Sequence, residues 1–345
     1  MKNTVLILGA GASVDYGYPL WGPLRQQMLD LDIGDFLSTE VELNGTQITE
    51  HKEAYEEFRS FAISNPTYTL DRIIYSIDQP KDKHHEPTGH LIINIAGLLL
   101  AKVELEKKDG GWVTKFQNVL IEHLVTKDDS NKSDQNLLSN LTVVSLNYDR
   151  VFEHFISHDF YKKMVDHPSY DQQHAGTATT FSRRNQLEVF KPHGYICQLE
   201  SQNSVSNVGM NQDLVLMNTT AKGTRHPGND ILVAYGDPRI AAQQAFLRMG
   251  RHMYVVEERG VDYYQRPNKF LSEAEIVFCL GLSDAGISQS SFDFENVKKI
   301  YLSNKESDIV VIEKQKPGPE YVSLGVAGAR LNASDFPDQF KRICL

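Results

Sequence analysis

The sequence predicts an α/β fold: an open parallel sheet that carries a large helical insertion. Three observations point to it. Short apolar runs of strand length recur at residues 5–8, 141–146, 274–280 and 299–302. Each run ends at Gly, Asn or Ser, and the stretches between them place apolar residues at helical spacings of three and four. Strands that alternate with helices and end in small or polar residues build an open parallel sheet. Runs without apolar–polar alternation fit strands buried on both faces.

The first run leads into Gly9-Ala10-Gly11-Ala12-Ser13. Gly9 and Gly11 let backbone N–H groups approach a ligand with no Cβ in the way, and the helix that follows offers its positive end to a pyrophosphate. The G-x-G-x-x-G pattern is incomplete, because Val14 stands at its third glycine. The turn is Rossmann-like without the usual dehydrogenase fingerprint, and a tight strand–helix turn with no ligand is its plain alternative. Gly17-Tyr18-Pro19 breaks the first helix, which resumes over 20–31. Val41 to Ile48 alternates around Asn44-Gly45, a two-residue hairpin signal. From 50 to 126 the pattern is helical, with Ala54/Phe58/Phe61, Ile73/Ile77 and Ile92/Ile95/Ala96/Leu99 in register. The polar stretch 127–135 reads as an exposed loop.

The run at 141–146 ends in Asn147-Tyr148-Asp149, and Val151, Phe152 and Phe155 start a helix behind it. Asn147 and Asp149 therefore read either as helix caps or as site residues at a strand end. Residues 187–190 lead into Lys191-Pro192-His193-Gly194, where His193 is a turn or core histidine, or a base. Residues 231–235 form a further strand, and 274–280 leads into Gly281-Leu282-Ser283-Asp284, with Asp284 as a helix cap. Asn304 follows the strand at 299–302, and the sheet is expected to finish near Val311, leaving a short tail. The organisation expected is one domain over 1–345. Its core comes from 1–21, 139–200 and 229–312, with a mainly helical insertion at 22–138 and a loop-rich one at 201–228. In open α/β sheets ligands sit outside the carboxyl ends of the strands, so the GAGAS, NYD, HG and GLS ends are expected to meet in one crevice.

Composition narrows the classes. Apolar residues make up 41% and charged residues 23%, as in an ordinary globular protein. The formal net charge of -10 leaves no basic surplus for gripping phosphates, so no direct nucleic-acid binding is expected. Cys197, Cys279 and Cys344 are too far apart for a C-x-x-C site, which excludes a Cys-tetrad zinc module and a disulfide framework and fits a reducing compartment. The apolar start is too short for a signal peptide and 91–103 is too short to span a bilayer, so a cytoplasmic protein with no membrane contact is expected. His84, His85 and His90 read as a solvated loop rather than a metal site, and no metal is expected. Tyr254, Tyr263 and Tyr264 read as packing surface.

As a set, in order and in strand context, these motifs resemble the sirtuin family, which carries a GAG-x-S turn, a G-I-P, an Asn-x-Asp, a His-Gly and a G-x-S strand end. The detailed forms here are closer to the sirtuin-like branch of bacterial anti-phage defence proteins: Gly17-Tyr18-Pro19-Leu20-Trp21, Asn147-Tyr148-Asp149, Lys191-Pro192-His193-Gly194 and Gly281-Leu282-Ser283, with Asp284 directly after the serine. The four zinc-ribbon cysteines of the deacetylases are missing, and Gly17-Tyr18-Pro19-Leu20-Trp21 lacks their arginine. The resemblance implies an NAD+ hydrolase that releases nicotinamide and ADP-ribose and depletes NAD+ during infection, with NAD+ as substrate. The alternatives are an NAD+-dependent protein deacylase and a non-catalytic NAD+ or ADP-ribose sensor. Cleavage of the nicotinamide–ribose bond passes through an oxocarbenium-like ribose. In that reading Gly9, Ala10, Gly11, Ala12 and Ser13 fix the pyrophosphate, and Asn147 holds a ribose hydroxyl and a water. His193 is the general base, and Asp149 orients Asn147 or a ribose hydroxyl, or caps the helix. Gly281, Leu282 and Ser283 take the adenosine side, and Asn304 its ribose. An unregulated hydrolase of this kind would kill its host, so a homo-oligomer is expected, and a HerA-type helicase ATPase is the partner implied by resemblance.

Overall fold

A computed structural model describes residues 3–77 (except 42 and 44), 88–105, 111–126, 140–149, 188–193, 264–325 (except 289) and 331–345, with single positions at 151, 152, 163, 166, 218, 219, 242, 243, 246 and 247. The strand at 231–235, the loop at 127–135, Cys197, Gly194, His84, His85, Tyr254 and Tyr263 lie outside them.

The fold is α/β. Seven strands are described: β1 (Thr4–Leu8), β2 (Leu141–Ser145), β3 (Glu188–Phe190), β4 (Asn218–Thr219), β5 (Ile276–Leu280), β6 (Lys299–Leu302) and β7 (Glu320–Ser323). They form one sheet in the order β4-β3-β2-β1-β5-β6-β7, and every pairing is parallel. The chain winds outward from β1 in one direction and then, from β5, in the other. The order therefore reverses between β1 and β5, and that switch point is where an open α/β sheet leaves a crevice.

Alternate residues of β1 feed two separate cores, as the two-residue period of a strand requires. Leu6 and Leu8 pack with the helical insertion, whereas Val5 and Ile7 pack with the helices that follow β5 and β6. The insertion comprises α1 (Trp21–Asp30), α2 (Ile33–Glu40), α3 (Gly45–Ser64), α4 (Leu70–Ile77), α5 (Thr88–Leu105) and α6 (Trp112–Thr126). On the other face lie α7 (Gln265–Glu273), α8 (Asp284–Ser288) and α9 (Glu306–Gln315). With both faces covered, all five residues of each of β1, β2 and β5 are buried.

Two expectations fail. The hairpin at Val41–Ile48 does not form: Val41 closes α2 through its N–H to Leu37 O, and α3 starts at Gly45. Ile48 lies seven residues before Tyr55 and packs on the same core, so the helical period wins over the local alternation. Nor does the sheet end near Val311. That segment is α9, with Ile309 and Ile312 buried one turn apart, and β7 then pairs with β6. Beyond β7, α10 (Phe336–Cys344) packs Phe340 edge-on against Phe116 of α6 at 4.8 Å between ring centres. The C-terminal helix thus belongs to the insertion-side core.

Candidate functional site

The turns leaving β1 and β5 cross at the switch point. Gly9 N–H donates to Leu280 O and Gly11 N–H to Gly281 O, both at 2.9 Å. A Cβ on Gly9 would stand 2.7 Å from Leu282 Cγ, and one on Gly11 would stand 2.9 Å from Gly281 Cα. Gly281 has φ +73, and a Cβ there would run into Ala12 N. The glycines are needed because two backbones touch. This corrects the expectation that the Gly9 and Gly11 N–H groups face a ligand, since both are committed to the end of β5. Ala12 N–H in turn donates to Gly9 O, as the turn tightens into a 3₁₀ helix (Ala10–Tyr16) rather than an α-helix. Gly17, at φ +88, ends that helix as expected.

Around the crossing opens a cleft of about 490 Å³, inside the roughly 300–1,000 Å³ range of small-molecule sites. Gly9, Ala10, Asn147, Asp149, His193 and the Gly281-Leu282-Ser283 turn all line it. The ends of β1, β2, β3 and β5 therefore meet in one place, as the strand-end rule requires. Gly11, Ala12, Ser13 and Asn304 are not in the lining.

Asn147 is 7% exposed and its side chain joins the end of β2 to the first turn. Nδ2 donates to Gly9 O at 2.9 Å and to Ser13 Oγ at 3.1 Å. A carbonyl only accepts, so the Gly9 contact identifies the NH2 end of the amide and leaves Oδ1 as the acceptor. Asp149 Oδ1 accepts the Val151 N–H at 3.0 Å, which is the capping arrangement among the roles considered for it. Its backbone carbonyl accepts a hydrogen bond from the buried Lys191 Nζ, which ties the β2 and β3 ends together.

Ser283 Oγ accepts the Gly286 N–H at 2.9 Å, so it caps α8, and Asp284 falls in the first turn. This corrects the capping assignment. Asn304 is 1% exposed and donates from Nδ2 to Leu282 O at 3.0 Å, so it buttresses the β5 turn from behind the cleft wall. Gly281 N–H donates to Ser303 Oγ at 3.0 Å from the same side.

His193 is 2% exposed. Its Nε2 lies 3.0 Å from the Tyr264 hydroxyl, and its ring meets the rings of Tyr264 and Tyr148 edge-on. Tyr148 in turn meets Trp21 edge-on at 5.4 Å. Tyr264, expected as packing surface, also makes this polar contact. No local signal could have revealed it, because Tyr264 lies 71 residues along the chain from His193. The insertion also reaches the cleft, through Trp21 and through Thr69 and Asp71 at the start of α4. Thr69 Oγ1 caps that helix by accepting the Arg72 N–H.

Among the described residues no group of three His, Cys, Asp or Glu side chains could hold a metal ion, and no helix is long and apolar enough to cross a membrane. No protein-family model matches this chain, and no curated protein matches it.

Proposed function

We propose that the protein is an NAD+ glycohydrolase of the sirtuin-like kind, cleaving the nicotinamide–ribose bond to give nicotinamide and ADP-ribose. The observation that carries this reading is the shared cleft. Asn147 and His193 line it beside the crossed turns of β1 and β5, at the switch point of a parallel sheet.

The lining suits one end of the dinucleotide in particular. Its described charged side chains are the carboxylates of Asp71 and Asp149, with no lysine or arginine among them, and Trp21, Tyr148 and Tyr264 add aromatic faces and edges. A flat cationic ring is favoured there by charge and by ring quadrupoles, and the nicotinamide of NAD+ is such a ring. The pyrophosphate then lies toward the β1 turn, where the Ala10 N–H has no backbone acceptor among the described residues. Asn147 Oδ1 orients a ribose hydroxyl or the attacking water. As positive charge moves from the ring to the ribose, His193 accepts the proton that water loses. Both groups are held before substrate arrives, so little reorganisation is needed during the reaction.

Regulation is part of the proposal. An enzyme that destroys NAD+ in its own cell needs a brake, and self-assembly or a helicase ATPase partner would supply it in an anti-phage response. Light scattering on the purified protein, alone and with such an ATPase, tests this control, and a fully active monomer would contradict it. The activity itself is tested by incubating NAD+ with the protein and following nicotinamide, with and without an acetylated peptide. Release without peptide, abolished in His193→Ala, is expected. Release only with peptide would make it a deacylase, and no release in any assembly state would overturn the reading.

A further inference from the structure

Nε2 of His193 is engaged by the Tyr264 hydroxyl at 3.0 Å. A neutral imidazole has one basic nitrogen with a single lone pair in the ring plane. If Nε2 is that nitrogen, its lone pair is directed at Tyr264. The other nitrogen, Nδ1, is buried from solvent. His193 thus has one nitrogen turned to Tyr264 and the other closed to solvent. Tyr264 lines the cleft beside His193, with 1% of its surface exposed, and its ring is fixed by Phe292, edge-on at 5.2 Å, in the core that holds α7 to the sheet.

We propose that Tyr264 is a catalytic proton-relay residue standing between the cleft and His193. This rests on the hydrolase reading above and assigns the path by which its base works. In the step, the water that attacks the ribose carbon gives a proton to Tyr264 Oη as the Tyr264 O–H proton passes to His193 Nε2. The new bonds are C–O, Tyr264 O–H and Nε2–H, and the broken ones are the nicotinamide C–N, one water O–H and the original Tyr264 O–H. Nicotinamide leaves with the C–N electron pair, Tyr264 ends neutral, and the imidazolium holds the proton. A hydroxyl suits this position because it donates to Nε2 in the neutral state and accepts from Nε2–H afterwards. Among the described residues, the ionisable groups near the ring include Asp149 beside Tyr148, Lys191 two residues before His193, and Asp71 in the same cleft lining.

The test is Tyr264→Phe, which keeps the ring against Phe292. Its kcat for nicotinamide release is expected to fall by about 10²–10⁴-fold, the usual worth of general acid–base catalysis, with KM within about threefold. The proton inventory in mixed H2O and D2O, curved in the parent as two protons move together, should show the change in the variant. Unchanged kcat in a folded Tyr264→Phe protein would overturn the relay. Nitrogen-15 NMR of histidine supplies a readout without turnover. The parent should show His193 as the Nδ1–H tautomer, with Nε2 shifted by the Tyr264 bond, and Tyr264→Phe should lose that shift. An Nε2–H tautomer in the parent would sink the relay even if NAD+ cleavage stands. A parent that shows the Nδ1–H tautomer but releases no nicotinamide would instead sink the hydrolase reading.

Discussion

Trp112 Nε1–H donates to Ala12 O at 2.7 Å, from the first residue of α6 into the middle of the turn that follows β1. One residue on, the Val113 N–H donates to Tyr16 Oη at 3.0 Å. Gly111, at φ +86, brings the chain in so close that a Cβ there would lie 2.7 Å from that hydroxyl. The helical insertion thus grips the strand–helix turn by two hydrogen bonds. Trp112→Phe should keep the ring packing with Phe116 and Phe336 but remove the bond to the Ala12 carbonyl. A loss of about 1–3 kcal/mol in denaturant unfolding is expected. An unchanged midpoint would show that the grip contributes nothing.

Gly281→Ala should be the most damaging of the three glycine changes at the crossing. It combines a positive φ with a Cβ set against backbone, whereas the atom nearest a Cβ on Gly9 belongs to the Leu282 side chain. Losses beyond about 2 kcal/mol are expected for Gly281→Ala, as strain and displaced backbone add. Thermal melts of Gly9→Ala, Gly11→Ala and Gly281→Ala in parallel give the ranking, and Gly281→Ala melting highest would contradict it.

Asn147 has a structural part of its own, joining the end of β2 to the first turn. Asn147→Asp, nominally the mild change, puts a carboxylate against the Gly9 carbonyl and should destabilise more than Asn147→Ala. The alanine variant should itself lose about 1–2 kcal/mol from the missing bonds. Ser13→Ala removes one acceptor only and should cost less than either. Unfolding curves on the three variants test the order, which matters for interpreting any dead Asn147 variant in an activity assay.

Alkaline pH should weaken the fold, beginning with Cys279. Burial in the middle of β5 pushes its thiol well above the ordinary range, and burial does the same to the phenols of Tyr16, Tyr55 and Tyr321. Below about pH 8.5 these groups keep their protons in both states and contribute no slope. Above it the unfolded chain releases the Cys279 proton while the folded chain retains it, so stability falls as pH rises, and more steeply from about pH 10 as tyrosines ionise in the unfolded chain. Cys279→Ala should flatten the pH 8.5–10 part of the unfolding profile. Equal slopes in parent and variant would refute the assignment to Cys279.

Much of the framework was legible from local pattern. The runs at 5–8, 141–146, 274–280 and 299–302 needed only apolar continuity, and the cleft followed from where they stop. What the sequence concealed depends on distance along the chain. Asn44-Gly45 carries a hairpin signal that loses to packing of Ile48 and Tyr55 on one helix face. Asn304 looked like a ligand contact because it ends a strand, yet its amide holds the Leu282 carbonyl. Tyr264 acquires meaning only when β3 brings His193 beside it.

The backbone crossing at Gly9, Gly11 and Gly281 also dictates how the cleft can move. There the two turns are bonded amide to carbonyl, Gly9 to Leu280 and Gly11 to Gly281, so the sheet side behaves as an anvil. The opposing jaw is made of side chains from the insertion, Trp21 on α1 and Asp71 on α4. A shift of α1 or α4 would therefore reshape the cleft without disturbing a single strand.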